Sequence, residues 1–154
     1  MPSFRIEVAN EQSLLPIDAR RLKRAVRQVL EGEGLSSAVV SIAVVDDPTI
    51  RRLNAQYLDH DYATDALSFV LEAREGRVEG QIIVSAETAA ARSAEFHWAA
   101  GEELLWYVVH AALHLAGHDD TRKAAARRMR QRERHYLALL GVSMDRELSP
   151  VSPP

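Results

Sequence analysis

The stretch Leu104-Leu105-Trp106-Tyr107-Val108-Val109-His110-Ala111-Ala112-Leu113-His114-Leu115-Ala116 is apolar at every position except its two histidines. A helix that is apolar all round is a buried one, so the segment predicts the central helix of the fold, over 101–116. Two imidazoles inside it need partners, because an unpartnered buried polar group costs free energy. His110 and His114 are four residues apart. Side chains at that spacing lie on one helix face, so both rings can address one metal ion. Gly117 offers a helix stop, and Asp120, ten residues after His110, can fold back as a third ligand. His118 is the rival third ligand, better by residue type but two residues off that spacing. Three protein ligands leave one position open, which is how catalytic zinc sites are built.

Around this helix the chain reads as short alternating segments. Phe4, Ile6 and Val8 alternate with Arg5 and Glu7, the pattern of a half-buried strand. Asp18 caps a helix carrying Leu22, Ala25, Val26, Val29 and Leu30 at helical spacing, ended near Gly32 and Gly34. Ala38 to Val45 is a β-branched strand. Asp47 followed by Pro48 reads as an N-cap with proline at the first helical position. The polar run 59–65 leads to a strand over Ala66–Leu71. Turn residues around Glu75, Gly76 and Gly80 then lead to a strand over Gln81–Ser85, a hairpin. Helices follow at Ala86–Glu95, 101–116 and Thr121–Leu140. The order β-α-β-α-β-β-α-α-α predicts an α+β fold: a small mixed four-stranded sheet packed with about five helices around the apolar helix 101–116. One domain over 1–147 is expected, followed by a proline- and serine-rich tail, 148–154, that reads as disordered.

Composition narrows the chemistry. With 154 residues the chain has room for a proper core. It contains no cysteine, so a thiolate zinc site is excluded and any transition metal must use His, Asp or Glu. No signal-peptide pattern and no apolar run of membrane-spanning length is present, and a cytoplasmic protein is expected. A net charge of −3 argues against wholesale coating of nucleic acid but leaves local basic patches possible.

The spacing His-x₃-His-x₂-Gly-x₂-Asp matches the ligand skeleton of metzincin zinc sites. A peptidase of that kind needs a glutamate after the first histidine as general base, and that position is Ala111. The metallopeptidase reading therefore loses its main catalytic group. The bland alternative makes His110 and His114 satisfied core histidines and the polar residues after Gly117 a turn that caps the next helix. Two histidines at this spacing, followed by glycine and an acidic cluster, favour the metal.

The same residues resemble the signature of the YbeY family of bacterial endoribonucleases in ribosomal RNA maturation, H-G-x-L-H-L-x-G-Y-D-H. It aligns without gaps on His110 to Asp120, including Leu113, Leu115, Gly117 and Asp119. A second family block, L-N-x-x-Y-R-x-x-D-x-x-T-D-V-L-S-F, resembles Leu53, Asn54, Tyr57, Asp61, Thr64, Asp65, Leu67, Ser68 and Phe69. A third, G-D-I-V-I-S, resembles Gly80 to Ser85. Four of the chain's departures from the pattern replace a polar or charged group. Asp120 stands where the family usually has its third metal-binding histidine, His118 where it has tyrosine, Leu58 where it has arginine, and Gln81 where it has aspartate.

The resemblance implies metal-dependent hydrolysis of single-stranded RNA in ribosomal RNA maturation, including the small-subunit 3′ end, and in ribosome quality control. It implies one zinc ion per chain, or another divalent metal, on His110, His114 and Asp120, with ribosomal RNA and the small ribosomal subunit as partners. His114 is then a catalytic residue through the metal, and Asp65 and His118 are the candidates for general base. RNA is held mainly by phosphate contacts. The candidates are Arg122, Lys123, Arg127, Arg130 and Arg134 on the segment after the metal turn, and a second basic cluster is Arg20, Arg21, Lys23, Arg24 and Arg27. Each cluster alone also reads as a solvated helix face. Two alternatives stand beside the enzyme: a ribosome-assembly protein with a structural metal and weak catalysis, and, less favoured, a metallopeptidase.

Overall fold

The computed structural model describes residues 2–142, as β1 (Ser3–Asn10), α1 (Ala19–Gly32), β2 (Ser37–Val45), α2 (Asp47–Leu58), β3 (Ala66–Arg74), β4 (Arg77–Ser85), α3 (Ala86–Phe96), α4 (Ala100–Leu115) and α5 (Lys123–Leu139). The tail 148–154 and the last residues of the expected 1–147 domain lie outside the described residues. The four strands form one sheet in the order β1-β2-β4-β3. β1 and β2 are parallel, as are β2 and β4, and β3 closes the edge antiparallel to β4. This is the expected mixed α+β sheet with five helices.

α4 is the central element. Every residue from Glu103 to Leu113 is buried on it, as is Leu115, so it faces neighbours on all sides. Its core partners include Leu22, Val26 and Leu30 of α1, Val40 and Ile42 of β2, Ile82 and Val84 of β4, and Met129 and Leu137 of α5. At Gly80 the helix end and the sheet meet. A Cβ there would come within 2.7 Å of a Leu115 methyl and 2.8 Å of the Phe69 carbonyl oxygen, closer than any side chain tolerates. Gly80 is thus a mid-strand residue of close approach, not the turn residue expected from sequence. The hairpin turn is tighter, between Arg74 and Arg77.

The opposite sheet face carries a smaller apolar cluster of Val45, Ile50, Leu67 and Ile83, roofed by α2. Leu58 packs against this cluster, so the position that carries arginine in the resembled block serves here to bury apolar surface. The cap of α2 also differs from expectation. Asp46, not Asp47, accepts the hydrogen bond from the Thr49 backbone N–H, at 2.9 Å. Proline is tolerated throughout a first helical turn, so Pro48 cannot distinguish the two. Asp47 instead turns its carboxylate to the hydroxyls of Ser85 and Thr88, tying α2 to the start of α3.

Candidate metal centre

α4 carries both histidines at its C-terminal end, and the chain leaves it through Ala116 and Gly117. Gly117 has φ 104°, a conformation that only glycine adopts at low cost. The turn brings Asp120 back over the helix end. His110, His114 and Asp120 each offer one donor atom, and these lie within 4.8 Å of one another. His110 is buried, His114 half-buried and Asp120 exposed. The two imidazole Nε2 atoms are 3.2 Å apart. The Asp120 Oδ2 atom lies 3.7 Å from the first and 3.6 Å from the second.

The other edge of each ring decides what those nitrogens are. His114 Nδ1 donates to the backbone carbonyl of His118 at 3.0 Å; a carbonyl can only accept, so in the neutral ring Nε2 is the lone-pair atom. His110 Nδ1 faces the Glu133 carboxylate at 3.3 Å, and a carboxylate likewise makes it the donor. Glu133 is itself fixed by the Trp106 indole N–H at 2.6 Å. Both Nε2 lone pairs therefore point at each other and at a carboxylate oxygen. Burial, and then the neighbouring His110, hold the His114 ring below its ordinary pKa, which keeps it neutral near pH 7. Three electron-pair donors converging in this way repel one another unless a cation sits among them.

Size agrees with chemistry. Zinc bonds of about 2.0–2.1 Å in tetrahedral arrangement place donor atoms roughly 3.3 Å apart, close to the three separations here. The outer partners, Glu133 and the His118 carbonyl, are of the kind that fix tautomer and ring orientation in metal sites. The residues present fit a divalent metal.

The remaining sequence candidates fall in different places. His118 is not among the three converging donors: its ring Nε2 donates to Glu33, while its carbonyl steadies His114. Asp65 is a buried carboxylate that accepts from the Arg92 guanidinium at 2.9 Å and from the Ala66 backbone N–H at 2.9 Å. Asp119, the neighbour of the third donor, caps the turn through the Thr121 N–H and hydroxyl. Arg130 is half-buried and lines a cavity of about 70 Å³ together with His110, Asp120, Ala126, Met129 and Glu133. Arg122, Lys123, Arg127 and Arg134 are exposed along α5 and its approach. In the other basic cluster Arg21 pairs with Glu102 and Arg27 with Glu31, so part of that charge is matched within the protein.

Glu133 and Glu33 were not legible as site residues. Glu133 reads as the one acid in a basic helix. Only its helical spacing to Met129 and Leu137, which marks an inward face, hints that it is buried.

Comparison with known proteins identifies the family. The family model described as endoribonuclease YbeY matches residues 7–141. An endoribonuclease YbeY of Salinibacter ruber is 39% identical over 142 residues, covering 86% of this chain and 89% of its own. That of Carboxydothermus hydrogenoformans is 36% identical over 140 residues, covering 88% and 97%. In fold, the chain is similar to a Thermotoga maritima protein known from a solution structure. The TM-score is 0.58 at 22% identity, covering 94% of this chain and 99% of the other.

Proposed function

The chain belongs to the YbeY endoribonuclease family, enzymes that hydrolyse phosphodiester bonds, and from that premise we propose that it cuts single-stranded ribosomal RNA with one zinc ion held by His110, His114 and Asp120. The observation that carries the reading is the pair of Nε2 lone pairs 3.2 Å apart, closed by the Asp120 carboxylate. A zinc ion bound there supplies a Lewis acid for a phosphoryl oxygen and acidifies a water molecule. His114 is catalytic by holding that ion. Glu133 and the His118 carbonyl keep the two rings in the tautomer that presents Nε2.

In this reading Arg130 meets the scissile phosphate, supported by its lining the same cavity as His110 and Asp120. It takes the role for which Leu58, packed in the apolar cluster, has no charge. Arg122, Lys123, Arg127 and Arg134 extend the positive surface along α5 and hold the flanking backbone, contacts that carry no sequence information. Asp65 is engaged by an ion pair with Arg92 and His118 by a hydrogen bond to Glu33, and in this reading they position their surroundings rather than transfer a proton. The substrate is ribosomal precursor RNA at the small-subunit 3′ end, with a part in ribosome quality control, which places the protein in the cytoplasm. Among the described residues no helix is long and apolar enough to cross a membrane.

The test is cleavage of a single-stranded ribosomal precursor RNA by zinc-loaded protein. Cutting should stop on chelation and in His114→Ala, and Arg130→Ala should weaken it more than Arg127→Ala. Protein that binds small-subunit particles, retains zinc and leaves the RNA whole would replace the enzyme with an assembly factor whose metal is structural. The packed Leu58 is the observation that favours that second reading.

A further inference from the structure

A four-residue polar cluster lies beside the metal centre and belongs to none of its donors. Glu33, the residue that ends α1, is half-buried. Its Oε2 accepts from the Tyr136 hydroxyl at 2.6 Å and from Arg132 through Nε at 3.0 Å and a terminal nitrogen at 2.9 Å. Arg132 also lies over the Tyr136 ring, 5.0 Å from its centroid. The other carboxylate oxygen, Oε1, takes the His118 ring. Three segments distant in sequence, the end of α1, the turn after α4 and the middle of α5, are thus joined at one carboxylate.

The consequence lies on the far side of His118. Its backbone N–H is bonded to the Leu113 carbonyl at 3.0 Å, and its own carbonyl accepts from His114 Nδ1 at 3.0 Å. We propose that Glu33 is a positioning residue for the metal centre: by anchoring the His118 side chain, it fixes the carbonyl that sets the tautomer and direction of the His114 ring. The inference rests on the metal reading above. Without the anchor, a glycine-led turn carries that carbonyl, and the ring it orients is only partly buried, its side chain 27% exposed. Loss of an outer partner of a metal ligand typically costs about 10–100-fold in affinity, and an effect at the lower end is expected for a link that runs through one intervening residue.

The experiment is a zinc competition titration of the full chain against a chromophoric chelator, with His110→Ala as the reference for loss of the site. Glu33→Gln and His118→Ala should each weaken zinc about 10-fold, and the double variant should be no weaker than either. Tyr136→Phe removes a hydrogen bond to the same carboxylate without touching His118, so it should lower the melting temperature and leave zinc affinity within twofold. The cobalt-substituted protein adds a spectroscopic readout: its visible absorption should shift in Glu33→Gln and stay put in Tyr136→Phe. A Glu33→Gln protein that melts earlier yet binds zinc like the parent overturns the proposal and leaves the metal centre standing. Should that variant not fold, His118→Ala decides alone, and unchanged affinity there is equally fatal. A parent chain that takes up no zinc, or takes it up equally with His110→Ala, refutes the metal reading itself and this inference with it.

Discussion

Asp65 and Glu133 are both carboxylates sunk into the protein, with side chains 0% and 3% exposed, and they differ in what answers their charge. Asp65 faces a guanidinium, Arg92, at 2.9 Å and takes a backbone N–H besides. That is a charge matched in full by a fixed cation. Glu133 faces the Trp106 indole and the His110 ring, hydrogen-bond partners rather than a guanidinium. Beyond His110 lie His114 and Asp120, more electron pairs and a further negative charge. A buried ion without a matching charge is expensive. Asp65 is answered by a guanidinium inside the protein, and the group beside Glu133, made of His110, His114 and Asp120, is the one among the described residues that could take a metal ion. In the proposed function that asymmetry separates a structural pair from a candidate metal centre, a distinction that burial or residue type alone does not make.

The comparison can be broken first at Arg92, where the largest effect on folding is expected. Arg92→Ala leaves Asp65 buried without its cation and should cost roughly 3–5 kcal/mol in urea unfolding. The protein that remains folded should still bind one zinc per chain. Loss of zinc binding in folded Arg92→Ala would mean that the two regions are one. Glu133→Gln is the complementary change. It should leave the stability of the metal-free protein within about 1 kcal/mol while weakening zinc roughly 10–100-fold in a competition titration. The smallest effect concerns acid. Burial would raise the Glu33 carboxyl, but hydrogen bonds from Tyr136, His118 and Arg132 outweigh it and hold its pKa below the ordinary 4.5. A lowered carboxyl pKa contributes stability above the ordinary value and loses it as pH falls through the folded one. The stability gap between the parent and Glu33→Gln should therefore be constant near neutrality and close below pH 4.5, as followed by urea midpoints across pH.

Much of this was legible in the chain because the decisive pattern is local. The all-apolar run around His110 and His114 could only be a central helix, and the i, i+4 spacing with a glycine and Asp120 beyond it is helix geometry written in sequence. What was not legible depends on pairings across long separations. Glu33 meets His118 across 85 positions, and Asp65 meets Arg92 across 27. No periodicity announces either. His118 looked like a rival ligand because its type suits a metal; only the carboxylate arriving from α1 turns its ring elsewhere. Gly80 looked like turn punctuation because glycine serves both turns and close approaches, and the Leu115 methyl that explains it comes from α4. Asp46 and Asp47 are both competent caps, and the choice fell to the Ser85 and Thr88 hydroxyls that claim Asp47.

X-ray absorption at the zinc edge, on protein carrying one equivalent of zinc, tests the centre most directly. His110, His114 and Asp120 as ligands require a shell of two imidazoles with the remaining positions filled by oxygen, unchanged in His118→Ala and losing an imidazole in His114→Ala. A third imidazole that disappears in His118→Ala, or a shell indifferent to His114→Ala, would contradict the assignment of Asp120 as the residue that closes the site.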